Sequence, residues 1–95
     1  MAIKKVPEKV TRKKVVFTLA APGVKNVSLA GTFNSWDFKK HKMEKKDGVW
    51  TKTVMIPVGE YEYKFNVNGE WWHDPANENV ISNEYGTLNS IITIT

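Results

Sequence analysis

Cysteine is absent from this 95-residue chain, which excludes a disulfide scaffold, a thiolate zinc site and a cysteine nucleophile. The absence also fits a reducing compartment. Proline and glycine are sparse, at four and six residues, so a collagenous or low-complexity chain is excluded. The only histidines are His41 and His73, and no metal-ligand spacing accompanies them. No apolar run is long enough to span a membrane. No apolar stretch follows Lys4 and Lys5, so no signal peptide is expected, and the protein is expected to be cytoplasmic. What is present is 41% hydrophobic and 25% charged residues, a globular composition with enough apolar material for one core in one domain.

The net charge of +4 invites a nucleic-acid reading until it is located. Residues 1–14 hold Lys4, Lys5, Lys9, Arg12, Lys13 and Lys14 against Glu8 alone. The rest of the chain is nearly balanced. The positive charge therefore belongs to a terminal segment and the body carries no broad electrostatic footprint. The expected organisation is a basic, flexible N-terminal arm over residues 1–14 and one module over residues 15–95.

Strand signals recur through that module, with turn residues between them. Val15 to Leu19 is a β-branched run closed by Ala21-Pro22-Gly23. Val27-Ser28-Leu29 alternates and stops at Gly31. A polar loop around Trp36 and a lysine-rich stretch from Lys39 to Lys46 lead to the turn Asp47-Gly48. The next strand runs from Trp50 to Ile56. Tyr61 to Val67 alternates strictly, which marks a strand with one wet face. Asn68-Gly69 is the strongest short hairpin signal, and Glu70-Trp71-Trp72 returns from it. A polar loop is expected over about residues 74–84, then a last strand from Leu88 to Ile94. About seven short strands and no ordinary helix predict an all-β, Ig-like antiparallel β-sandwich.

Four tryptophans need places. Across a two-residue turn Asn66 pairs with Trp71 and Phe65 with Trp72, and paired residues share a face. Tyr61, Tyr63, Phe65 and Val67 form the apolar set, so Trp72 goes inside with them. Glu62, Lys64 and Asn66 form the polar set, so Trp71 stands outside. A one-residue slip would reverse every assignment. An indole displayed beside Lys64 and Asn66 suits a sugar, whose C–H face packs on the ring while its hydroxyls meet the ammonium and the amide. Trp36 is a second exposed candidate, with a plug over the end of the core as its alternative role. Trp50 is in phase with Val54 and Ile56 and belongs to the core, although Lys52 shares that phase. Asn89 lies on the face opposite Leu88, Ser90, Ile92 and Ile94, which makes it an outward polar residue.

Several of these segments resemble carbohydrate-binding module family 48. That group includes the glycogen-binding domain of AMP-activated protein kinase β subunits and the N-terminal domains of isoamylase and glycogen branching enzymes. The run Val27-Ser28-Leu29-Ala30-Gly31-Thr32-Phe33-Asn34-Ser35-Trp36 carries the first block and Pro57 to Phe65 the second. Asn68-Gly69-Glu70-Trp71, His73-Asp74-Pro75 and Gly86-Thr87-Leu88-Asn89 continue the match in order. The resemblance covers about residues 15–95 and implies an early-set sandwich that binds α-1,4-linked glucan without catalysis. It assigns the sugar contact to Trp36, Lys64, Trp71 and Asn89. It gives Tyr85 the place of a side chain inserted beside the sugar ring, where the kinase-type domain has leucine, and Thr87 a further contact.

No catalytic constellation can be assembled. His73 and Asp74 are adjacent, and adjacent strand residues point apart. A glycosidase needs two carboxylates across a cleft, and neither a phosphate loop nor a cofactor motif is present. The expectation is a non-enzymatic module for an α-glucan polysaccharide or oligosaccharide, with no cofactor, metal, nucleic acid or membrane. The alternative is a protein-interaction module that docks on a glucan-metabolising enzyme of the glycoside hydrolase family 13 type or within a kinase complex.

Overall fold

The computed structural model of the protein describes residues 11–95. Among them are nine short strands and one 3-10 turn at Thr32–Asn34. The strands are β1 (Arg12–Ala20), β2 (Val27–Gly31), β3 (His41–Lys42), β4 (Glu44–Lys46), β5 (Val49–Pro57), β6 (Gly59–Val67), β7 (Glu70–Trp72), β8 (Val80–Ser82) and β9 (Leu88–Ile94). They form an antiparallel three-stranded sheet ordered β1-β5-β4 and a six-stranded sheet ordered β3-β2-β6-β9-β8, in which β7 also pairs with β6. This is the expected all-β sandwich with more strands than sequence patterning indicated. The lysine-rich stretch supplies β3 and β4, whose side chains lack apolar alternation but whose backbones pair with β2 and β5. The expected loop over residues 74–84 contains β8, which pairs with β9.

The sheets close on one apolar layer. Phe17 and Leu19 of β1 and Trp50, Val54 and Ile56 of β5 are buried with Leu29, Tyr63, Phe65 and Val67 of the larger sheet. Phe17 meets the edge of Tyr63 at 5.0 Å between ring centroids, an aromatic geometry favoured by the ring quadrupoles. Trp50 lies in the core as expected and its Nε1–H donates to Ala21 O at 3.2 Å. Lys52, in the same phase, is half-buried. His73-Asp74 is a structural corner: Asp74 is buried, its Oδ2 accepts from Tyr63 OH and its N–H donates to Ser90 Oγ, each at 2.7 Å. Burial first, and the neighbouring Asp74, hold the Tyr63 phenol well above its ordinary pKa.

β1 begins at Arg12, where Arg12 faces Pro57 and Lys14 faces Met55. Three basic residues counted with the arm thus lie on a strand, held by the β5 backbone with their side chains exposed. Residues 1–10 of the arm lie outside the described residues.

The hairpin between β6 and β7 positions the outer surface. Asn68 and Gly69 both have positive φ, 51° and 92°, the pairing that a tight two-residue turn requires. The register is Phe65 with Trp72, Asn66 with Trp71 and Val67 with Glu70. Trp72 therefore packs against the core, and Trp71 stands on the outside at 45% exposure.

Candidate functional site

The outer face of the six-stranded sheet carries a cleft of about 780 Å³. Its floor is built by strand alternation. Glu62 and Lys64 of β6 and Asn89 of β9 project away from the core, and Trp71 of β7 stands beside them. Two loops raise the walls, one ending at Trp36 and the other running through Asn83, Glu84, Tyr85 and Thr87.

The Trp36 wall is held by Asn34. This buried amide accepts the Gly31 N–H at 3.0 Å and donates to Leu29 O at 3.1 Å. The chain then turns through two consecutive left-handed residues, Ser35 at φ 58° and Trp36 at φ 59°, with Trp36 N donating to Gly31 O at 2.9 Å. A left-handed backbone is costly for a bulky side chain and persists only where surrounding bonds fix it. Here they present the indole to the cleft, so Trp36 is a half-buried wall residue and not a plug over the core.

The opposite wall turns on Asn83. Its Oδ1 accepts from the backbone N–H of Tyr85 at 2.9 Å and of Thr87 at 3.1 Å. Its Nδ2 donates to Thr87 Oγ1 at 2.8 Å and to Asn89 Oδ1 at 2.9 Å. One amide thus folds the loop and ties it to β9, a use of asparagine common in turns. Tyr85 is left at the tip with 80% exposure.

A chain of hydrogen bonds crosses the floor. Lys64 Nζ donates to Thr87 Oγ1 at 3.0 Å, and Asn89 Nδ2 donates to Glu62 Oε1 at 3.0 Å. Burial lowers the Lys64 pKa from its ordinary value. Two donors point at the Thr87 hydroxyl, so its own hydrogen turns elsewhere as a donor. Lys64 keeps two further N–H bonds and Glu62 a second oxygen. The cleft therefore offers aromatic surface on both sides and a row of donors and acceptors between, the arrangement that suits a polyhydroxylated ligand.

Of the sequence candidates, Trp36, Lys64, Trp71, Tyr85, Thr87 and Asn89 line this one cleft. Asn89 is on the outer face as expected but is 6% exposed, because the Asn83 loop covers it. Asn66 stands apart from these six. It shares the face of Lys64 and Trp71 but lines a neighbouring groove, and its Oδ1 accepts from Gly69 N at 3.2 Å to brace the hairpin. Sequence reasoning missed Glu62 and Asn83 as site residues. Alternation placed Glu62 outward, which was its only signal, and Asn83 carried none beyond its place in a polar loop. It also missed Phe38, whose ring meets Trp71 edge to face at 5.9 Å.

Residues 14–95 match the family model described as the glycogen recognition site of AMP-activated protein kinase. Over 72 residues the chain is 39% identical to 5'-AMP-activated protein kinase subunit beta-1 of Sus scrofa, an alignment covering 76% of this chain and 57% of that protein. It is 38% identical to the human beta-1 subunit and to the beta-2 subunit of Mus musculus, again over 76% of this chain but 26% of each relative. The chain thus spans about a quarter to a little over half of these relatives. Among solved structures, the maltogenic amylase from S. marinus superposes with a TM-score of 0.77 at 29% identity, covering 88% of this chain and 14% of the amylase.

Proposed function

The chain belongs to the family of the glycogen recognition site of AMP-activated protein kinase, and from that premise we propose that it is a non-catalytic module that holds α-1,4-linked glucan in the cleft between Trp36 and Trp71. The observation that carries this reading is the convergence of both indoles on a floor of paired polar groups. The sugar's C–H faces stack on the rings. Its hydroxyls take up the free N–H bonds of Lys64, the hydroxyl hydrogen of Thr87 and the open lone pairs of Glu62 and Asn89, and Tyr85 closes on the chain from the loop tip. Such an open site fits a Kd in the micromolar to millimolar range, about −4 to −8 kcal/mol. The lack of cysteine supports a reducing, cytoplasmic setting.

A second reading, docking to an enzyme or a kinase complex, draws on a different surface. Val16 and Met55 are more than half exposed on the outside of the three-stranded sheet, away from the cleft. Partner docking there and glucan binding in the cleft are compatible.

Native gels cast with glycogen, amylopectin, hydroxyethyl cellulose or no polymer test the glucan reading. Glycogen and amylopectin should retard the protein and the cellulose derivative should not, with little change on adding salt. Equal retardation by cellulose would overturn the α-glucan assignment, and steep loss with salt would point to a polyanion instead.

A further inference from the structure

Beside the cleft lies a second groove of about 530 Å³, which the proposed stacking between Trp36 and Trp71 does not use. Strand pairing builds its floor. Lys42 of β3 faces Ser28 of β2, Ser28 faces Asn66 of β6, and Asn66 faces Trp71 of β7. These four side chains form one row across four strands, about 14 Å from end to end at ordinary strand spacing; the first three line the groove and Trp71 lines the main cleft. Phe38 rises beside the row. It is 40% exposed, and its edge-to-face contact with Trp71, at 79° between planes, forms the aromatic ridge that the two depressions share, Trp71 on the cleft side and Phe38 on the groove side. The polar groups along the floor are available. Asn66 uses its Oδ1 on Gly69 N, while its Nδ2 and the Ser28 hydroxyl have no protein partner among the described residues. Both residues are only 9% exposed, but no buried side-chain nitrogen or oxygen there lacks a partner, so each of these two atoms keeps some access to solvent at the groove floor.

We propose that this groove is a second sugar subsite, which takes the continuation of the glucan chain held in the main cleft. The inference rests on the glucan reading above. Aromatic surface passes from Trp71 to Phe38 without a break, and beyond it Ser28, Asn66 and Lys42 offer a hydroxyl, an amide and an ammonium to successive sugar hydroxyls. Short oligosaccharides fill the cleft alone, and longer chains engage both. The module therefore discriminates glucan by chain length.

The test compares maltotriose and maltodecaose on the wild type, on Ser28→Leu, which fills the groove, and on Lys42→Ala, which removes the outermost donor from an exposed strand position. Both variants should bind maltotriose within about twofold of wild type, while the maltodecaose-to-maltotriose affinity ratio should fall about tenfold for Ser28→Leu and about threefold for Lys42→Ala. Using the ratio cancels the statistical advantage of a longer chain. An unchanged ratio in both variants overturns the second subsite and leaves the main cleft standing. A wild type that binds neither sugar overturns the glucan reading itself. Should Ser28→Leu fail to fold, Lys42→Glu carries the same comparison, and its unchanged ratio overturns the proposal.

Discussion

The imidazole of His41 and the amide of Asn34 meet end to end, with Asn34 Nδ2 2.8 Å from His41 Nδ1. The orientation of the amide is settled by its other partners. Oδ1 faces the Gly31 N–H, and Nδ2 faces the Leu29 carbonyl. Nδ1 of His41 must therefore accept, which leaves the ring proton on Nε2. Burial lowers the pKa of His41, and the charges of Lys52 and Lys40 lower it further against a smaller opposing effect of Asp37.

A pH dependence follows. Protonated His41 would present N–H to N–H and lose the contact. Between the ordinary imidazole pKa of about 6.5 and the lower folded value, the unfolded chain binds more protons than the folded one. Stability then rises with pH across that window, is complete above it, and is lost as pH falls through it. Denaturant midpoints at pH 7.5 and 5.5 should show the wild type weakened on acidification and His41→Gln weakened less. An equal loss in both proteins would remove His41 from the account.

Asn83→Ala should loosen the far wall of the cleft. Four hydrogen bonds converge on this side chain, yet it sits in a loop outside the core. The expected cost is modest for the fold, about 1–2 kcal/mol, and larger for function, with maltoheptaose affinity lowered about tenfold. Calorimetric titration beside a thermal melt checks both, and full affinity in the variant would show that the loop holds its shape without the amide.

Gly31 has an extended backbone, φ −172°, which any residue can adopt, so its requirement is space. A Cβ there would lie 2.5 Å from Glu62 O, 2.7 Å from the Phe33 ring and 2.9 Å from Tyr63 Cβ. Gly31→Ala should destabilise by about 1–3 kcal/mol, the usual cost of overpacking, and should also move Glu62 on the cleft floor. A melting temperature equal to wild type would contradict this close packing.

What the sequence made legible is what short-range rules control. The Asn68-Gly69 turn fixes its own register, so the opposite facing of Trp71 and Trp72 could be read directly from neighbouring residues. Strict alternation from Tyr61 to Val67 did the same for the outward direction of Lys64, but the wet face it implied is not there: Lys64 and Asn66 are only 8% and 9% exposed, because neighbouring loops and the hairpin cover that face. The rest depends on contacts made at a distance. Val80-Ile81-Ser82 is too short and too polar in context to announce a strand, and pairing with β9 makes it one. Asn83 becomes a hub only when the fold brings Asn89 under its loop. Asn66 has the same phase as Lys64 but a different groove, because Phe38, from a loop beyond β2, stands against Trp71.

The most direct test of the central claim sets Trp71→Ala beside Trp72→Ala, with maltoheptaose titrations and denaturant melts on both. Trp71 is displayed outside and leaves no cavity when truncated, so its loss should weaken binding about tenfold or more with little change in stability. Trp72 is half-buried against the core, so its loss should cost about 2–3 kcal/mol of stability, at or below the lower end for a fully buried aromatic, while the protein that remains folded still binds. Full maltoheptaose affinity in a stably folded Trp71→Ala variant would contradict the account, because no stacking site between Trp36 and Trp71 survives that result.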